Sequence, residues 1–398
     1  MNPQIISPRP ESSVHRGRVL KGKHLKPLQN YFGNPERFDP NEGCLYDEAF
    51  DEVAEALAPV FSDFMSKQDV WSILYQSVSE FEDNVVGGGE VVSTPEQGAE
   101  RRAALIAHIV NFFSQYPKNY TVRVALPLFR RLPPAEIALS DKVTLSFVEA
   151  PERTPSAFLS LSISGYCDGN INGYALSECF KTIKLFTFGL CRIKLSFPRL
   201  WGGRTEATIQ EEGGRVIPLP LPNGLSLLIG SLTLNLGGLI NLSGGRIKNV
   251  SDLGLGLEEL AKAFQKYFRV LSQGEGERLS AAIDWLEESN YSENQTVAYL
   301  MVCIGLEAIL AEESHMTDMS NRLCDRLAYT LGKNQSERKK IFEQYKNILG
   351  TRGRLVHSKQ QRLGDVELKL LEEARILLRR LIEHEINFHD PLDDLGHS

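Results

Sequence analysis

The chain has 398 residues, of which 42% are hydrophobic and 24% charged, and its formal net charge is −7 at pH 7. This composition excludes a disordered, collagen-like or low-complexity chain and predicts about two or three domains with ordinary hydrophobic cores. The net negative charge also argues against a protein that coats nucleic acid along its whole surface.

Cysteine usage and the first residues both favour the cytoplasm. The six cysteines are sparse and form no CxxC pair, which excludes a disulfide scaffold, a zinc finger and a thioredoxin-type site. The opening run MNPQIISPRP lacks the basic and then apolar pattern of a signal peptide. We therefore expect a reducing, cytoplasmic location.

The N-terminal part of the chain is predicted to contain an arm and a helical segment. Residues 1–44 are rich in Pro, Gly, Lys and Arg and predict an extended basic arm. Residues 45–118 are predicted to be helical, because apolar residues recur there at three- and four-residue spacing. This stripe comprises Phe50, Val53, Leu57, Val60, Phe61 and Phe64. A further helix is predicted after Thr94, which can cap it while Gln97 bonds back to the cap.

A β-rich mixed α/β domain is predicted over residues 119–250. Alternating or β-branched runs indicate strands at 120–126, 143–148 and 158–164. A helix fits residues 175–188, whose apolar positions share one face. The leucine-rich stretch 225–242 is uncharged, but the polar–apolar alternation of residues 231–236 favours a half-buried strand over a membrane helix. We therefore expect no membrane as a partner.

Residues 251–398 are predicted to form an all-α bundle of about five or six helices. The run SENQ at 292–295 is interpreted as a capping box that opens a long helix. Further helices are predicted over 318–331, 337–349 and 365–387, and glycines 332 and 350 are expected to end two of them. The chain is thus predicted to be a multidomain α+β protein, in which a helical and β-rich mixed region precedes an all-α bundle.

Two apolar stripes orient the predicted bundle. In the helix after the capping box, the residues predicted to face inward are Val297, Leu300, Met301, Ile304 and Ala308. In the last helix, the near-heptad stripe comprises Val366, Leu370, Ala374, Leu377 and Leu381. This second stripe is more regular than a single bundle face needs, so we expect a homodimer through the C-terminal bundle.

Positive charge is concentrated between Lys333 and Arg362, where nine Lys or Arg stand against two acids. Either a local anion site or an ordinary solvated helix face explains this segment. Arg352 and His357 within it form the pattern R-x4-H, which is also the form of a ribonuclease motif. Such a short pattern arises easily by chance, so it carries weight only in its structural context.

The same pattern recurs at Arg379 and His384, inside the predicted last helix. Five residues along a continuous helix turn two side chains about 140° apart and separate them by about 7.5 Å. Arg352 and His357 are instead expected at a helix break beside two glycines, where the backbone can direct both groups towards one anion. The break is the feature that distinguishes the two matches.

Three sequence runs together resemble a known family. They are AYLMVCIGLEAIL at 298–310, NRLCDRLAYTLG at 321–332 and YKNILGTRGRLVHS at 345–358. Their order is similar to that of the Apea-like branch of HEPN domains, which has a central LEA, an R-hydrophobic-A helix and an R-x4-H motif before a long final helix. The resemblance covers residues 256–388 and implies a HEPN helical bundle.

This resemblance implies a metal-independent endoribonuclease that cleaves RNA as a dimer and uses no cofactor. Arg352 and His357 are then the catalytic pair, because a histidine can transfer protons while a guanidinium stabilises the charge on the phosphorane. Arg354, Lys359 and Lys346 are the expected RNA-binding residues. The implied role is a prokaryotic antiviral or abortive-infection effector whose N-terminal region senses a trigger, or restrains the bundle, with a trigger or inhibitor protein as a further partner.

Two alternatives stay open. The first is a non-catalytic HEPN module that dimerises, or that binds RNA or nucleotide, within a defence complex. Gly353 and Ser358 favour it, because catalytic members of the family commonly have a polar residue and a glycine at these positions. The second is an unrelated hydrolase or binding activity in residues 119–250, where we recognise no nucleophile and base.

Overall fold

The computed structural model of this chain describes most of the sequence. The described ranges are 20–85, 92–126, 134–149, 156–167, 173–194, 196–198, 205–234, 240–241, 245, 253–274, 276–311, 319–357 and 362–389. These residues form a mixed α+β protein, in which helices precede and follow a six-stranded antiparallel sheet and two further pairs of strands lie outside that sheet.

The N-terminal part is a helical module with its own hydrophobic core. Its elements are a 3-10 turn (Gly22–Leu25), α1 (Lys26–Phe32), β1 (Phe38–Asp39), β2 (Gly43–Cys44), α2 (Glu48–Phe61), α3 (Lys67–Val85) and α4 (Pro95–Ser114). The predicted stripe is confirmed in α2, where Phe50 and Leu57 are buried. The predicted capping box is confirmed at α4, where the backbone N–H of Gln97 donates to Thr94 Oγ1 at 3.3 Å.

The prediction of an extended arm is wrong for residues 20–44. Leu28, Phe32 and Phe38 are completely buried in the core that α2 also enters. Leu28 and Phe32 lie four residues apart, so one turn of α1 presents both to the same neighbours. These few apolar residues are therefore enough to fold the segment, and residues 1–19 of the predicted arm lie outside the described ranges.

A six-stranded antiparallel sheet follows. The elements of this region are β3 (Lys118–Ala125), β4 (Ala135–Ala138), β5 (Val143–Phe147), β6 (Ala157–Gly165), α5 (Tyr174–Arg192), β7 (Ser196–Pro198), β8 (Ala207–Glu211), β9 (Val216–Leu219), α6 (Asn223–Ser231) and β10 (Leu232–Leu234). The strand order is β4-β5-β6-β3-β8-β9, and β7 pairs separately with β10. Alternate residues such as Val122, Val124 and Leu159 are buried against the helices, as the sequence alternation predicts.

The strand prediction for the leucine-rich stretch after residue 222 is only partly correct. Residues 223–231 form helix α6, and strand β10 covers only residues 232–234. Leu225, Leu228 and Ile229 are buried together, since their spacing of three and four residues fits one helix face. Among the helices described, none is long and apolar enough to cross a membrane.

The C-terminal part is entirely helical over its described residues. Its helices are α7 (Leu253–Leu271), α8 (Gly276–Tyr291), α9 (Gln295–Leu310), α10 (Met319–Leu331), α11 (Gln335–His357) and α12 (Asp365–Phe388). The N-cap of α9 is Asn294 and not Ser292, because Asn294 Oδ1 accepts the backbone N–H groups of Thr296 and Val297 at 3.0 and 3.3 Å. Helix α10 ends before Gly332, as predicted.

The predicted inward face of α9 is wrong. Val297 and Ile304 are each 39% exposed. The buried residues of this helix are Ala298, Tyr299, Val302, Cys303, Gly305, Leu306, Ile309 and Leu310. Because α9 is apolar on nearly every side, its hydrophobic periodicity does not determine which side packs inward.

Helix α11 continues through the glycines that were expected to end it. It runs without interruption from Gln335 to His357. Each glycine weakens a helix by about 1 kcal/mol relative to alanine, but Thr351 and Leu355 are buried on the same helix and hold it in place. The Tyr299 hydroxyl donates to the carbonyl of Ile348 at 3.1 Å, which ties this part of α11 to α9.

The regular stripe of α12 belongs to the interior of this chain. Ala374, Leu377 and Leu381 are buried in its own core, whereas Val366 at the start of the helix is 69% exposed. The stripe is therefore already occupied, and it gives no support for a dimer. The other predicted features of α12, its start and its length, are confirmed.

The sheet region and the C-terminal helices share one hydrophobic core. The rings of Phe186 on α5 and Phe264 on α7 stack with centroids 5.4 Å apart. Tyr267 donates its hydroxyl to the carbonyl of Leu185 at 3.0 Å. These contacts make α5 a structural part of the helical bundle as well as of the sheet region.

We predict that Gly350→Ala and Gly353→Ala each stabilise the protein by about 0.5–1 kcal/mol, because both glycines lie inside a helix. A Cβ at either position meets no other atom within 4 Å in the described structure. Urea unfolding monitored by circular dichroism measures the change.

Gly305→Ala is the matched control on α9. A Cβ at Gly305 would lie 2.7 Å from Leu378 Cδ2, so this variant should lose about 1–3 kcal/mol. If Gly350→Ala and Gly353→Ala destabilise the chain, helix α11 does not continue through these positions.

Candidate functional site

The central interaction of the candidate site is an ion pair between two helices of the bundle. Arg352 Nη2 on α11 lies 3.2 Å from Glu307 Oε2 on α9. Arg352 is four and seven residues from the buried Ile348 and Tyr345, so it belongs to the side of α11 that packs inward. The arginine and glutamate side chains are 40% and 27% exposed, which places the pair at the edge of the core.

The surroundings of this pair are poor in polar partners. Burial raises the pKa of Glu307, and the positive charge of Arg352 opposes that rise. Nearby on α9, burial and then the charge of Glu307 raise the pKa of Cys303 to about 12. The buried hydroxyl of Tyr345 has no hydrogen-bond partner among the described residues. The guanidinium of Arg352 therefore stabilises the negative charge of Glu307 against the effect of burial.

The helix break that was expected between Arg352 and His357 is absent, because α11 includes both residues. His357 is the last residue of α11, and its side chain lies outside the described part of the chain. Its backbone is about 140° around the helix from Arg352 and about 7.5 Å further along. Arg379 and His384 lie in the same relation on the continuous helix α12, so the expected difference between the two R-x4-H matches is wrong.

Of the predicted RNA-binding residues, the two that the structure describes, Lys346 and Arg354, do not converge on Arg352 within one copy of the chain. Lys346 is exposed about 120° around α11 from Arg352, with its ammonium 5.8 Å from the centroid of the Phe342 ring. Arg354 is exposed on the far side of the helix and donates to Thr351 Oγ1 at 2.9 Å. Lys359 lies outside the described residues.

Part of the positive segment faces another helix instead. Lys333, Lys340 and Arg380 border a groove of about 390 Å³ between α11 and α12, together with Glu337 and Glu373. Lys340 is about 18 Å along the helix from Arg352. The charge concentration seen in the sequence is therefore distributed over separate surfaces.

The exposed side of α9 continues directly into the ion pair. We define the α9–α11 strip as Val297, Leu300, Ile304, Glu307, Arg352 and Val356. The first four share one face of α9 by their helical spacing, and Arg352 and Val356 are neighbours one turn apart on α11. Ile304 is 39% and Val356 54% exposed, so apolar surface lies on both sides of the pair.

The role of Glu307 was not predicted from the sequence, although the residue lies in the LEA run. The available signal was its charge, because Glu307 is the one charged residue in AYLMVCIGLEAIL. A charge inside an otherwise apolar helix needs a partner, and its position suggests where that partner must lie. In the described part of the chain, no group of three or more His, Cys, Asp or Glu is arranged to hold a metal ion.

Comparison of this chain with protein-family models, with curated proteins and with solved structures finds no match in any of the three.

The raised pKa of Glu307 predicts a pH-dependent stability. The folded state binds this proton more tightly than the unfolded state, so the unfolding free energy decreases as pH rises above the ordinary value of 4.5. Glu307→Gln removes the titration. The stability of this variant relative to the parent should therefore increase from about pH 4 to about pH 7, and urea titrations across that range measure it. A difference that stays constant with pH contradicts the assignment.

Proposed function

We propose that this chain is a HEPN-type, metal-independent endoribonuclease that acts as a homodimer. The observation that carries the proposal is the contact between Glu307 of the LEA run and Arg352 of the R-x4-H motif at 3.2 Å. Two of the runs on which the family resemblance depends thus meet at one place. That place lies at the surface, where Arg352 keeps further N–H donors for a phosphate.

A second copy of the chain supplies what one copy lacks. Within α11, the backbone positions of Arg352 and His357 are about 140° apart around the helix, which does not favour contact of both residues with one phosphate. The α9–α11 strip offers an apolar surface beside Arg352, and a two-fold interface through it brings both copies of Arg352 together. In this proposal, His357 of the partner subunit, at the end of its α11, supplies the proton-transfer group for the phosphate that Arg352 holds.

The proposed reaction is attack of the RNA 2′-hydroxyl on the adjacent phosphate. In this step the 2′-oxygen forms a bond to phosphorus and the P–O5′ bond breaks. His357 removes the 2′-hydroxyl proton as a neutral imidazole or protonates the leaving 5′-oxygen as an imidazolium, and water takes part in the other proton transfer. The guanidinium of Arg352 stabilises charge on the phosphorane with charge-assisted hydrogen bonds. Glu307 positions this guanidinium. Lys346, Arg354 and Lys359 contribute to the phosphate attraction along the RNA strand, and the products have 2′,3′-cyclic phosphate or 3′-phosphate ends.

The biological part of the proposal is an antiviral or abortive-infection effector of the prokaryotic cytoplasm. The N-terminal region then senses a trigger or restrains the bundle. Support comes from the shared hydrophobic core, which connects the sheet region directly to the helices that carry the motif. A trigger or inhibitor protein that binds the sheet region therefore acts on a part of the chain that packs directly against the bundle.

The second candidate is a non-catalytic HEPN module for dimerisation or RNA or nucleotide binding. The specific observation that favours it is the same ion pair, since Glu307 neutralises the guanidinium that catalysis requires. The absence of a polar side chain at Gly353 also fits this candidate. The two functions differ in one measurable property, which is cleavage of RNA by the purified chain.

We predict that Arg352→Ala and His357→Ala each lower the rate of RNA cleavage about 10²–10³-fold in buffer containing EDTA. Arg354→Ala should instead weaken RNA affinity and reduce the salt dependence of binding by about one unit of slope. Gel analysis measures the cleavage rates and the product ends. Titration of labelled RNA at several salt concentrations measures the affinity and its salt dependence.

His384→Ala is the matched control, because its R-x4-H match lies within α12, and it should cleave RNA at the parental rate. Circular dichroism verifies that each variant is folded. If His357→Ala cleaves as fast as the parent, or if cleavage requires a divalent metal, the ribonuclease proposal is wrong. RNA binding without cleavage by the parent supports the second candidate.

We also predict that Ile304→Asp converts the dimer into a monomer at micromolar concentration, because it places a charge in the middle of the α9–α11 strip. Light scattering measures the mass. Ile376→Asp is the control, since Ile376 is 58% exposed on α12 and lies outside the strip. A parent chain that is monomeric with and without RNA excludes this dimer.

A further inference from the structure

A cavity of about 440 Å³ lies between the sheet region and the C-terminal helices. Its walls come from α5, from the start of α6 and from α8, and its apolar side includes Phe180, Leu225 and Leu228. A Cβ on Gly224 would lie 2.7 Å from Cβ of Tyr291, which shows how closely α6 approaches α8 at this point. The volume and the mixed lining are typical of a small-molecule site at the boundary between two structural regions.

The polar side of the cavity carries an excess of carboxylates. Lys184 Nζ lies 2.7 Å from Asp284 Oδ1 and also bonds to Glu288. Its side chain is 12% exposed, so this ammonium is already neutralised by two acids on α8. Glu287 also lines the cavity, which leaves three carboxylates against one lysine.

Glu287 is the least satisfied of these groups. The residue is 4% exposed, and Asn290 Nδ2 donates to its Oε2 at 3.3 Å. Its other oxygen, Oε1, accepts no hydrogen bond from any described residue. Burial raises the pKa of Glu287, and the charges of Arg379 on α12 and Lys184 on α5 oppose the rise without forming a hydrogen bond. Glu287 Oε1 is not among the fully buried polar atoms that lack a partner, so it keeps accessible surface, and the residue lines the cavity.

We propose that this cavity binds a small organic cation, whose amine, amidinium or guanidinium group donates to Glu287 Oε1 while its apolar body lies against Phe180 and Leu228. The ligand supplies a donor to this oxygen and a positive charge that offsets the excess of carboxylates. The rings of Phe180 and Tyr291 add a favourable surface for a cation.

An anionic ligand fits this cavity poorly. It would meet Asp284, Glu287 and Glu288, while Lys184 is already shared between two of these acids and Arg379 acts on Glu287 without bonding to it. In a partly buried site, repulsion between these carboxylates and the negative charge of the ligand opposes binding strongly. A neutral ligand can donate to Glu287 but leaves the charge excess unchanged.

The test compares benzamidine with benzamide on the full chain by calorimetry. The two compounds have the same shape, but only benzamidine is cationic. Benzamidine should bind with one site per chain and raise the melting temperature, and benzamide should bind at least about tenfold more weakly. Glu287→Gln should weaken benzamidine binding at least about tenfold and change benzamide binding less than about twofold.

Ser177→Arg provides a second variant that does not alter the buried carboxylate. Ser177 is exposed at the edge of the cavity, so an arginine there competes with the ligand and should weaken benzamidine binding at least about tenfold. Ser62→Arg, at an exposed site in the N-terminal module, is the matched control and should bind like the parent.

The proposal is overturned if neither compound binds, if benzamide binds as tightly as benzamidine, or if Ser177→Arg leaves the affinity unchanged. Binding alone is measured, so the result does not depend on whether the chain cleaves RNA.

Discussion

The packing of one face of α11 against α9 determines where each candidate group of the motif lies. Thr351 and Leu355 are buried on this face, and Tyr299 bonds to the backbone of α11 beside them. This packing keeps the helix intact through two residues of weak helix propensity. Once the helix is continuous, Arg352 points towards Glu307, whereas Lys346 and Arg354 leave the helix in other directions and position 357 lies about 140° around it from Arg352.

The sequence was sufficient where a pattern had only one physical solution. The apolar stripe of α2 and the Thr94–Gln97 capping box are such cases. The stripe follows from the local spacing of apolar residues, and the capping box from a local hydrogen bond. The sequence was insufficient where packing with distant residues decides. Helix α9 is apolar on almost all sides, so its sequence does not say whether Ile304 or Val302 faces the core. The glycines of α11 mark a weak point in a helix, but tertiary contacts determine whether the helix ends there.

The candidate site illustrates the same limit. The R-x4-H motif predicts Arg352 as a site residue, and its partner Glu307 lies in the LEA run. The two residues are 45 positions apart, so no local sequence pattern connects them. The helical phase of α9 and that of α11 are both needed to bring them together. The short segment of sequence around the motif predicts that its cations converge, and a continuous helix does not allow this for the described residues Lys346, Arg352 and Arg354 within one copy.

The two glycines of α11 also shape the surface of that helix. Gly350 and Gly353 have the same helical phase as Lys346 and His357, and no described atom lies near the position of a Cβ on either glycine. Over about two turns, this side of α11 therefore presents bare backbone between a lysine and a histidine. A molecule lying along it approaches the helix axis more closely by the thickness of a side chain, and it does so between two groups suited to contact a phosphate chain.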